Sequence, residues 1–95
     1  MFAAGRRRTV HVMASLNINA ARCEALFAST VQRSEHPTPA ELREAIMLTV
    51  RALGSRGCAV RVAQEFGDHP DTAVVRMRWV RQQVASIVKE RPNPR

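Results

Sequence analysis

Apolar residues return every three or four positions in four stretches of the chain, the period of an α-helix. The clearest stretch is "TPAELREAIMLTVRALG", residues 38–54. Leu42, Ala45, Ile46, Thr49, Val50 and Leu53 fall on one face of it. Thr38 predicts the N-cap, Pro39 suits the first helical position, and Glu41 completes a capping box. Gly54 closes the pattern as a C′ glycine.

Before it, Asn17 to Val31 predicts a helix with a patchier stripe of Ile18, Ala21, Arg22, Ala25, Leu26 and Ala28, supported by the Phe27–Val31 pair. After it, a short helix is expected from Cys58 to Phe66, with Ala59, Val62, Ala63 and Phe66 turned inward. A fourth is expected from about Pro70 to Glu90. Ala73, Met77, Val80, Val84 and Ile87 form its seam, a near-heptad spacing that suggests homodimerisation through this helix. Pro- and Gly-rich punctuation separates the four, at "RSEHPTP" (33–39), "GSRG" (54–57), "GDHPD" (67–71) and the terminal "RPNPR".

The expected fold is therefore all-α, with four helices and no β-wing. Residues 38–90 form a trihelical core that contains a helix-turn-helix. Residues 17–90 make up the domain, between a basic, flexible arm (1–16) and a disordered tail (91–95). Met13 is an alternative start.

The helix-turn-helix reading rests on "AQEFGDHPDTAVVRMRW", residues 63–79. Such a motif needs a small residue where its helices cross, a turn residue able to take positive φ, and an apolar anchor on the second helix. Ala63, Gly67 and Ala73 are matched to these roles, with Phe66 as the apolar plug. Asp68 or His69 caps the second helix, Pro70 opens it, and Asp71 sits at its positive end.

The segment "HPDTAVVRMRWV" resembles the "HPNTVRYRLRRI" pattern that closes the helix-turn-helix of PucR/CdaR-type transcriptional regulators. The stretch "GCAVRVAQEFGDHPDTAVVRMRW", residues 57–79, is also similar to a type of small actinobacterial protein, a resemblance that implies no activity, whereas the likeness to the regulators covers about residues 59–84. It departs from the regulators at Asp68, at Ala73, and at Val74 and Val75, which replace a polar and an aromatic residue. It implies a small DNA-binding protein, a transcriptional regulator or accessory factor. The implied contacts are Arg61, His69, Asp71, Thr72, Val74, Val75, Arg76, Arg78 and Arg81. Valines can touch a thymine methyl but cannot read a hydrogen-bonding edge, so backbone contacts by Arg78 and Arg81 would dominate, with Arg76 and Arg61 at the margins.

Charge agrees with this and does not prove it. The net charge is +7 over 95 residues, which favours an acidic partner. Fourteen of the fifteen basic residues are arginines, a skew that coding bias also produces. A second reading therefore stands beside the first. Here Val74, Val75 and Trp79 bury against the first helix or a protein partner, the arginines are a solvated face, and the chain is a helical protein-interaction module without direct DNA contact.

Catalysis finds little support. Asp68, His69 and Asp71 at a helix start read as caps, and only Cys58, brought in by folding, could serve them as nucleophile. Cys23 and Cys58 stand 35 residues apart with no metal-ligand spacing to His11, His36 or His69, so no metal or cofactor is expected. Two isolated thiols, no secretory apolar run after "GRRR", and no run of about 18 apolar residues predict a reduced, cytoplasmic protein away from membranes.

Overall fold

The computed structural model describes residues 18–89. The expected arm, the alternative start at Met13 and the tail lie outside them. The described residues are helical apart from two connections, and no strand occurs among them.

Helix α1 covers residues 18–28. It stops short of the expected Val31 because Ser29 folds back on it: the Ser29 N–H and Oγ–H both donate to the Leu26 carbonyl, at 3.1 and 2.6 Å. A single 3-10 turn, Arg33–Glu35, follows. His36 leaves that turn in the left-handed region (φ 50°).

Helix α2, Pro39–Asp68, starts as expected. The Glu41 N–H donates to Thr38 Oγ1 at 3.1 Å, and the Thr38 N–H donates to Glu41 Oε1 at 2.8 Å. Its length corrects the sequence reading. The expected second and third helices are one element, so there are three helices among the described residues and not four. The expected "GSRG" linker shrinks to Gly54, whose φ of 73° and ψ of 166° are the only non-helical values inside α2. Only glycine adopts that region without strain.

The break has a geometric purpose. In an unbroken helix Cys58, sixteen residues after Leu42, would point about 160° away from it. Both are buried, at 1% and 2% exposure. Gly54 re-aims the second limb so that Cys58 is buried, and Val62 and Phe66 pack on the same core as Leu42 and Ile46 from the first limb.

The next corner differs from expectation too. Gly67 lies within α2, and its φ is not positive. One residue makes the corner: His69, at φ −138° and ψ 66°. Its N–H closes α2 on the Glu65 carbonyl at 2.7 Å, and its own carbonyl accepts from the Ala73 N–H at 2.9 Å. Pro70 supplies the physical reason, because its ring disfavours helical backbone at the residue before it. Helix α3, Pro70–Lys89, then begins at once. Ala63, expected at a helix crossing, is exposed.

The α3 seam packs against the chain's own core. Ala73, Val80 and Val84 are buried, Met77 and Ile87 half-buried, and all five meet Leu26, Phe27 and Leu42 in one core. The seam that suggested a homodimer is thereby consumed within the chain. Phe27 and Phe66 stack with ring centres 5.9 Å apart. Trp79 is 8% exposed, a core residue. No helix among the described residues is long and apolar enough to cross a membrane.

Candidate nucleic-acid interface

The first turns of α3 carry most of the expected contact residues, and the helix period divides them. Positions 74, 78 and 81 lie on one stripe, about 100° round the helix from Ala73, Val80 and Val84. Val74, Arg78 and Arg81 accordingly line a shallow groove with Phe66, Met77 and Gln82. Val74 is 43% exposed and Val75 54%, so neither is buried against α1 as the second reading expected. Among the described residues, neither Arg78 nor Arg81 donates a hydrogen bond to a carboxylate. Their guanidinium groups are free to meet an external anion.

A second group lies around the corner. Arg61, Asp71, Thr72, Val75 and Arg76 line a groove of about 600 Å³ between the end of α1 and the start of α3. Glu65 and Asp71 share its wall with Arg33 and Arg61, so its charge is mixed. Thr72 Oγ1 donates to the His69 carbonyl at 3.1 Å, which ties it to the corner. His69 itself is exposed at the tip.

Arg76 holds a role that the sequence reading missed. It is half-buried, and it does not stand at the margin of the exposed face. Its Nε donates to the Phe27 carbonyl at 2.9 Å, and Nη2 donates to the carbonyls of Leu26 and Ser29 at 3.3 and 3.1 Å. These carbonyls belong to the end of α1, where helical partners run out and the helix dipole favours a cation. The guanidinium carbon also lies 5.6 Å from the centre of Phe27 and 5.8 Å from that of Trp79. Burial pulls the Arg76 pKa below its ordinary value, and Glu65 opposes the shift. Of the nine expected contacts, Arg76 is therefore committed to the fold. The signal was present in the sequence. Arg76 follows Ala73 by three residues and precedes Val80 by four, which puts it beside the seam.

The one candidate nucleophile, Cys58, is buried. Cys58 lies in the core, where burial pushes its thiol pKa up, Glu24 adds to the rise and Arg61 opposes it. A raised pKa suppresses the thiolate a nucleophile needs. Among the described residues no cluster of His, Cys, Asp and Glu could hold a metal ion.

Comparison with models of protein families, with curated proteins and with solved structures finds no match to this chain.

Proposed function

We propose that the chain binds nucleic acid through the outward face of α3, with Arg78 and Arg81 on backbone phosphate and Val74 beside the bases. The observation that carries this reading is the exposed Val74–Arg78–Arg81 stripe, held about 100° round the same helix from a buried seam. Arg61 and the exposed start of α3, at His69, Asp71, Thr72 and Val75, flank it. Regulation of transcription in the manner of the PucR/CdaR likeness is the expected use. The corner is tighter than the three- or four-residue turn of a typical helix-turn-helix. Backbone contact therefore fits this geometry better than the detailed base readout of a standard recognition helix. The test is a mobility shift with random-sequence duplex DNA: binding at low salt, falling steeply between about 50 and 200 mM, supports the proposal. Binding that ignores salt contradicts it.

A protein-interaction module is the second reading, and one observation favours it. Met47, Leu48 and Val50 on the first limb of α2 are 48%, 52% and 39% exposed, apolar side chains that the fold leaves open. Partners recovered on the full chain that survive nuclease treatment would support this reading.

A further inference from the structure

The far end of the bundle, away from the His69 corner, holds a groove with a different character. Ile46, Val84 and Ile87 form its apolar floor, and it encloses about 310 Å³. Met47 and Val88 extend the apolar surface to its rim, at 48% and 40% exposure. Two guanidinium groups, Arg22 from α1 and Arg43 from α2, complete the lining, and among the described residues no carboxylate lines it.

Each helix prolongs the surface along its own axis. Ile18, 54% exposed, precedes Arg22 by one turn, and Val50, 39% exposed, follows Met47 by one turn. Both arginines are exposed. Arg22 donates only a long 3.4 Å bond to Asn19 Oδ1, and Arg43 forms no side-chain hydrogen bond among the described residues.

We infer that this groove docks an acidic amphipathic helix of a partner protein, its apolar stripe on Ile46, Met47, Val84 and Val88 and its carboxylates on Arg22 and Arg43. Three helices meet at the groove, and a fourth laid across them would bury the apolar surface they leave open. An apolar stripe at helical spacing fits such a cleft. The charge selects the partner's sign, because a basic helix would meet Arg22 and Arg43 with like charge at close range. For the same reason the chain's own "GRRR" segment is a poor occupant. The inference rests on the interaction-module reading and gives it a site. It is separate from the α3 stripe, since neither Arg78 nor Arg81 lines this groove.

The experiment uses the full chain and a fluorescein-labelled peptide of about 18 residues, long enough for a marginal helix, with leucines at helical spacing flanked by glutamates. Fluorescence anisotropy should show saturable binding that weakens as salt rises. Replacing both arginines (R22E with R43E) should weaken binding at least about tenfold while the melting temperature and the salt slope of duplex-DNA binding hold. A twin peptide carrying lysines in place of glutamates should bind far less. Equal binding of the twin, retained binding by the double variant, or no binding at all overturns the proposal. Concentration-dependent self-association that Met47→Glu abolishes makes a second copy the occupant and overturns it too. A nuclease-resistant natural partner still held by the double variant sinks the groove but leaves the interaction-module reading standing.

Discussion

Helix α2 has 30 residues and buries Leu42 and Cys58, whereas α3 has 20 and buries Ala73, Trp79, Val80 and Val84. Both are rich in aliphatic residues, so hydrophobicity alone does not explain the difference. Phase does. The α3 apolar positions recur on one stripe and meet the core together. Those of α2 are divided by Gly54, and each limb presents only a short stretch inward while Met47, Leu48, Val50 and Val60 face out. Helix α3 is thus the keystone, and α2 is a bent wrap around it.

The largest effect expected from this contrast comes at Trp79. Trp79→Ala should cost about 3–5 kcal/mol, while Met47→Ala on α2 should stay within about 0.5 kcal/mol. Chemical denaturation of both variants checks the pair, and similar losses would erase the distinction between keystone and wrap.

Next is the clamp that fastens α1 to α3. Removing charge-assisted hydrogen bonds by Arg76→Ala should cost about 2–3 kcal/mol, a fall in melting temperature of roughly 8–24 °C for a domain this size. Arg76→Lys should restore only part, because an ammonium on a flexible stem does not reproduce the planar fork that spans three carbonyls. Full rescue by lysine would show that charge matters and geometry does not.

The two glycines of α2 should then move stability in opposite directions. At Gly54 a Cβ would have open space, yet φ of 73° strains any other residue, so Gly54→Ala should cost about 1–3 kcal/mol. At Gly67 a Cβ also meets nothing within 4 Å, and the backbone is helical. Gly67→Ala should therefore gain about 0.5–1 kcal/mol. Thermal melts of the two variants decide this.

These glycines also mark what was legible in the sequence. The Thr38–Glu41 capping box and the α3 seam rest on local chemistry and periodicity, and both were readable. So was positive φ at Gly54. That the helix resumes at the next residue was not, because Ser55 and Gly57 are poor helix formers and a glycine on each side of "SR" reads as a linker. Gly67 misled for the opposite reason. The glycine beside "DHP" imitates a turn, but the constraint that Pro70 places on His69 already ends the helix. At the candidate site, the outward stripe of Val74, Arg78 and Arg81 followed from the helix period. The partners of Arg76 lie 47 to 50 residues away in sequence, and no local pattern names them.

A smaller effect should appear in alkali. Burial first, then Glu24, raises the Cys58 thiol above its ordinary value in the folded chain. A group with a raised folded pKa contributes its stability below the unfolded value and loses it as pH climbs toward the folded one. Stability should fall above about pH 9, by at most ~1.4 kcal/mol per pH unit from this thiol. Cys58→Ala should flatten that slope in urea titrations run at several pH values. An unchanged slope would place its origin elsewhere.

The central claim is that α3 holds the fold with one face and meets phosphate with the other. It is tested most directly by the salt dependence of duplex-DNA affinity for the native chain and for Arg78→Ala. The account predicts that Arg78→Ala lowers the slope of log K against log salt by about 0.9, the loss of one phosphate contact, with folding stability changed by no more than about 0.5 kcal/mol. A variant that keeps the native slope, or one that unfolds, would contradict it.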